Sequence, residues 1–174
     1  MADRIDAYAA ALFEVAKGEG SLETVEDELF KVARTLEVND ELRGALTDQA
    51  IPLERRQGIV EDLLGNRASP VTTALVSFVV GSGRARDLPA IIDKLVQRAA
   101  EERHEAVAEV RSAIPLDDAQ RQRLAEALSR RTGRQVAVKV IVDPTILGGV
   151  VTQIGDTVID GSVRTRLNQL KESF

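Results

Sequence analysis

Catalysis needs groups that exchange protons, attack electrophiles or hold metals, and this chain carries few of them. His104 is its one histidine, and it has no cysteine. A Ser-His-Asp triad or a three-ligand metal site would have to be built around a single ring. Thiolate catalysis, disulfides and Cys-ligated zinc or iron–sulfur sites are excluded. His104 falls at the expected end of a helix, where a histidine faces the negative pole of the dipole, so a structural role accounts for it. Asp156 and Asp160 could be read as paired carboxylates or a metal clamp. Yet Asp156 follows Gly155 in ordinary turn chemistry, and Asp160 can accept backbone N–H bonds at the start of a last helix. Gly81-Ser82-Gly83-Arg84 lacks the lysine of a phosphate loop and Gly148-Gly149 precedes a strand, so neither is a nucleotide fingerprint. Gly155 is expected at positive φ, and Gly161 to allow a sharp strand-to-helix turn. Glu26, Asp27 and Glu28 read as a solvated helix face. No catalytic residue, metal site or cofactor is expected.

The elements that would position these residues follow from hydrophobic period. Ile5, Tyr8, Leu12 and Val15 recur at helical spacing before Gly18 and Gly20, and Ser21 offers an N-cap to a second helix striped by Leu22, Val25, Leu29, Val32 and Leu36. Asp40 can cap a short third helix, Pro52 opens a fourth that Gly65 closes, and Ser69-Pro70 opens a fifth that runs to Gly81. A sixth starts near Asp87 and ends about His104. At Glu105 the period switches to two: Ala106, Ala108, Val110, Ser112 and Ile114 form one face of a strand. Asp117 and Gln120 make a capping box for a helix ending at Gly133, and Val136, Val138, Val140 and Val142 line one face of a second strand. Val150 to Ile154 and Thr157 to Ile159 make a hairpin, and Ser162 caps a last helix carrying Val163, Leu167 and Leu170. The fold class is α+β and predominantly helical. A six-helix bundle over residues 1–104 is followed by a small β-α-β-β-α domain over 105–174.

Composition narrows the possible partners. The net charge of −5 is uneven: residues 1–104 hold 19 acidic and 13 basic side chains, whereas 105–174 hold 9 and 10. An acidic front half is a poor surface for nucleic acid, which draws affinity from clustered Lys and Arg. No run approaches the roughly 18 to 20 apolar residues of a membrane span, so membrane association would be indirect. The start of the chain lacks the layout of an export signal, which points to the cytosolic side.

Helices one and five are more apolar than one buried stripe requires. Ala7, Tyr8, Ala9, Ala10, Ala11, Leu12, Phe13, Val15 and Ala16 cover most of the first, and Val71, Ala74, Leu75, Val76, Phe78, Val79 and Val80 leave the fifth little polar surface. Either both lie at the centre of the bundle, or they form a groove that receives a foreign amphipathic helix.

The hairpin text Asp143-Pro144, Gly148-Gly149-Val150-Val151-Thr152-Gln153-Ile154-Gly155-Asp156-Thr157-Val158-Ile159-Asp160-Gly161-Ser162-Val163, with Leu167 and Leu170, resembles the signature of the delta subunit of F-type ATP synthase. The mitochondrial member of that family is the oligomycin sensitivity-conferring protein. Tyr8 to Ala16 resembles the family's opening helix, and Gly83-Arg84 followed by Leu88-Pro89 its fifth-to-sixth helix junction. Ser82 and Ala85 depart from the residues usual there. The resemblance implies a non-catalytic stator subunit. Its helical domain would bind N-terminal helices of the alpha subunits of the catalytic head, and its C-terminal domain the b-type peripheral-stalk subunits. That assembly would sit on the cytoplasmic face of a bacterial cell membrane. The implied alpha-subunit contacts are Tyr8, Ala11, Leu12 and Phe78, and Gly148, Gly149, Gly155, Asp156, Asp160, Gly161 and Ser162 are structural. An unrelated helical adaptor, or a small enzyme binding nucleotide at the C-terminal glycine turns, are the competing readings.

Overall fold

The computed structural model describes residues 2–146, 148–155 and 157–160. The chain divides into two compact units, Met1–Ala99 and Ala100–Phe174, and its fold is mixed α+β. The front unit contains α1 (Ala2–Gly18), α2 (Leu22–Val38), α3 (Asp40–Thr47), α4 (Leu53–Leu64), α5 (Pro70–Gly81), a 3-10 turn (Ala85–Asp87) and the body of α6 (Leu88–Glu102). Its core is aliphatic, with Leu29 of α2, Val79 and Val80 of α5, and Leu88, Ile92 and Leu95 of α6 fully buried. Burying each such side chain contributes about 1.5–3 kcal/mol before chain entropy is charged against it. Arg34 donates to Asp93 at 2.6 Å and so bridges α2 to α6, while its guanidinium lies 4.8 Å from the Phe30 ring centroid.

The helix ends depart from the sequence reading in four places. Ser21 precedes α2 without making a side-chain cap bond, and its hydroxyl is buried with no protein partner. Asn39, one residue before the expected Asp40, caps α3 by accepting from Leu42 N–H at 2.9 Å. The residues around Asp87 form the 3-10 turn, so α6 itself begins at Leu88. His104 lies beyond α6 rather than in its last turn. It takes a left-handed φ of 56° and its N–H bonds the Glu101 carbonyl at 3.0 Å. Ser69 and Pro70, by contrast, open α5 as their types predict, with the Ser69 hydroxyl accepting from Thr72 N–H.

In the rear unit β1 (Glu105–Ser112), α7 (Asp118–Thr132), β2 (Gln135–Val142), β3 (Val150–Ile154) and β4 (Thr157–Asp160) follow in order. The sheet order is β2-β1-β3-β4. β1 and β2 are parallel, with Val110 opposite Val140, as a helical crossover permits. β1 runs antiparallel to β3, and β3 to β4. Asp117 and Gln120 form the expected capping box, and Gly133 ends α7 in the left-handed conformation. Ala108, Val110, Val136, Val138 and Leu128 make the core. Val142, expected on that inward face, is exposed at the strand end, whereas Lys139 on the opposite parity is buried. The helix expected from Ser162, with Gly161 before it, lies outside the described residues, as does Asp156.

Candidate partner-binding surface

α1 presents two different faces because its apolar residues exceed one stripe. Ala9, Leu12, Phe13 and Ala16 are buried in the core, while Val15 is 47% exposed. Ala7 and Ala11 face outward as well. α5 divides in the same way. Leu75, Val76, Val79 and Val80 are buried, whereas Phe78 is 55% exposed and Ala74 lies exposed one turn before it. The Tyr8 and Phe78 rings approach to 6.2 Å between centroids at 42°, within the range of favourable aromatic pairs. The two outer faces therefore meet in one apolar surface. Of the four contact residues named from sequence, Tyr8, Ala11 and Phe78 lie on it. Leu12 does not: at 2% exposure it belongs to the core beneath.

What holds α5 in place was missed by reading Glu26 to Glu28 as a solvated run. Glu26 is fully buried, and Glu28 reaches the start of α5. Its carboxylate accepts from Ser69 N–H at 2.9 Å, Ser69 Oγ at 2.8 Å and Thr72 Oγ1 at 2.6 Å. Burial, the largest single influence, opposes the charge. The hydrogen bonds from Thr72 and then Ser69, with the Lys31 ammonium nearby, outweigh it and hold the Glu28 carboxyl below its ordinary 4.5. An anion at a helix N-terminus is also favoured by the dipole. A signal was present in the spacing, since Glu26 follows Leu22 by four and precedes Leu29 by three, on the edge of the apolar stripe.

The glycine-rich hairpin text is conformational. Gly148, Gly149 and Gly155 have φ of 111°, 77° and 54°, a region that disfavours other residues. Asp143 accepts from Thr145 N–H at 2.9 Å and Thr145 Oγ1 at 2.6 Å. The Thr145 hydroxyl, then the Thr145 amide and the Arg111 charge, keep its carboxyl below the usual range. Asp160 closes β4 on the surface, opposite Val151. Among the described residues no group of three or more His, Cys, Asp or Glu could hold a metal, and no helix is long and apolar enough to cross a membrane.

Comparison with known proteins agrees with the motif text. Residues 5–174 match the family described as ATP synthase delta (OSCP) subunit. "ATP synthase subunit delta" of Nocardia farcinica is 45% identical over 164 residues, 94% of this chain and 61% of the relative. The protein of the same name from Streptomyces avermitilis is 44% identical over 156 residues, 90% of this chain and 57% of the relative. The chain thus spans about three fifths of the length of these curated relatives. A chain of the Toxoplasma gondii mitochondrial ATP synthase hexamer superposes with a TM-score of 0.56 at 24% identity, covering 97% of this chain and 96% of that one. That likeness is one of fold.

Proposed function

The chain belongs to the ATP synthase delta (OSCP) subunit family, and from that membership we propose that it is a non-catalytic stator subunit of an F-type ATP synthase. In this reading the six helices of residues 1–104 act as one bundle that grips N-terminal helices of the alpha subunits. The module over 105–174 holds the b-type peripheral stalk. The subunit resists rotor torque while proton flow drives ATP synthesis, and it sits peripherally on the cytoplasmic face of a bacterial membrane through the complex.

One observation carries the alpha-binding part. Tyr8 and Phe78 meet on the surface between α1 and α5, flanked by the small exposed residues Ala11 and Ala74. An amphipathic helix needs such a trough: aromatic anchors for its apolar side chains, and small residues that let its backbone approach closely.

The test is calorimetric titration of the chain with a synthetic alpha N-terminal peptide. Phe78→Asp should weaken binding about thirtyfold or more, the loss of a central aromatic anchor of ~2 kcal/mol or greater, with an unchanged circular-dichroism spectrum. Equal affinity in the variant would remove this surface from the interface.

A further inference from the structure

A cleft of about 320 Å³ opens among α2, α3, α4 and α5, away from the Tyr8–Phe78 surface. Packed interiors seldom leave room for more than a water, and this volume is roughly twice the ~150 Å³ of an apolar cavity that admits benzene. Its floor is formed by Leu36, Leu46, Val60 and Val76, each no more than 3% exposed. The polar groups at its mouth can be accounted for one by one. The Thr35 hydroxyl is spent on the Lys31 carbonyl at 2.8 Å. Both Glu28 oxygens are turned to Ser69 and Thr72. Two exposed cations remain, Lys31 and Arg67. The clefts of similar size lined by Arg4, Ile5, Arg84 and Asp87, or by Arg56 and Arg86 with Thr47 and Gln49, have no comparable aliphatic floor.

We propose that this cleft is a binding site for a small amphipathic carboxylate. The carboxylate would lie between Lys31 and Arg67 and an unbranched apolar chain would lie on Val60 and Val76. Charge complementarity selects the head group: Lys31 and Arg67 together exceed the one nearby anion, Glu28, whose oxygens already accept from Ser69 and Thr72. The aliphatic floor selects the tail, because a poorly hydrated apolar surface gains most from an apolar occupant. The volume suits a chain of moderate length better than the face of a helix. The proposal does not depend on the stator reading.

Sodium decanoate is the probe, with decanol as the same tail without charge, followed by methyl and amide NMR shifts on the full chain. Decanoate should saturate with a Kd on the order of 0.1 mM and shift Leu36, Leu46, Val60 and Val76. Decanol, and decanoate with the Lys31→Gln, Arg67→Gln double variant, should bind about tenfold more weakly. Both substituted residues are exposed, so the variant's unchanged circular-dichroism spectrum is the check on its fold. Four outcomes would overturn the proposal: no saturation, shifts at Tyr8 and Phe78 instead, equal binding of decanol and decanoate, or shifts of the floor residues by an alpha N-terminal peptide but not by decanoate.

Discussion

Replacing Glu28 should loosen the Tyr8–Phe78 surface without touching it. The carboxylate holds the α5 N-terminus through three donor groups at 2.6 to 2.9 Å, and Thr72 is fully buried. A hydrogen bond to a charged acceptor contributes about 1.5–3 kcal/mol. The three share one acceptor, and Ser69 Oγ keeps its own contact with Thr72 Oγ1 at 3.0 Å, so they do not add. Glu28→Ala is therefore expected to cost about 3 kcal/mol, and Glu28→Gln, which retains an acceptor oxygen, about 1–2 kcal/mol. Tyr8 is the one tyrosine and there is no tryptophan, so urea unfolding followed by tyrosine fluorescence reports on the unit concerned. The pH dependence has a definite sign. Because the folded carboxyl titrates below its ordinary 4.5, its contribution is complete above about pH 4.5 and is lost as pH falls through the folded value. Glutamine does not titrate, so the gap between wild type and Glu28→Gln should narrow as pH falls below the ordinary 4.5 and through the folded value. A Glu28→Ala protein within 0.5 kcal/mol (about twofold in the unfolding constant) of wild type at pH 7, or a Gln gap constant with pH, would refute the reasoning.

Two backbone positions give further outcomes in the rear unit. Gly133 ends α7 at a φ of 70°, so Gly133→Ala should destabilise by about 1 kcal/mol, read as a lower urea midpoint with unchanged slope. His104 holds a left-handed φ of 56°, which costs a residue with a Cβ roughly 1 kcal/mol. His104→Gly should therefore raise thermal stability, by a part of that amount because glycine is also more flexible when unfolded. A drop in the melting temperature would assign the His104 side chain a contact that the backbone account omits.

Where period and local chemistry agreed, the elements were legible. Ser69-Pro70, the Asp117 and Gln120 box and Gly133 each act through their nearest neighbours in sequence, so their types announce their roles. The excess apolar surface of α1 and α5 was legible too, but period alone could not choose between a central position and a groove. Each helix turns one apolar face inward and the other outward, which is a tertiary fact. Glu28 was not legible as an anchor because its partners lie 41 and 44 residues away. Lys139 likewise breaks the alternation of β2 through its surroundings rather than its sequence. Leu12 was named with Tyr8 and Ala11 because residues three and four apart share a helix face; that it lies buried beneath that face is a tertiary fact that spacing does not supply.

The Tyr8–Phe78 surface is held at both ends of α5, and that bears on how it could carry load. At the N-terminus the Glu28 carboxylate satisfies Ser69 and Thr72. At the C-terminus the Phe78 carbonyl accepts from Ser82 N–H at 2.9 Å and Ser82 Oγ at 2.8 Å, and Arg84 N–H bonds the Val79 carbonyl at 3.1 Å. The exposed ring thus projects from a turn whose backbone is already fixed, with Val79 and Val80 buried directly behind it. An anchor on a frayed helix end would spend part of each partner contact on ordering its own backbone; one on a doubly capped helix does not. Under the stator function proposed above, that saving falls on dissociation, because related interfaces differ in affinity mainly through their off-rates. Weakening the cap at Glu28 should therefore shorten the lifetime of the proposed alpha-peptide complex while leaving its association rate nearly unchanged, even though Glu28 lies off the proposed binding surface.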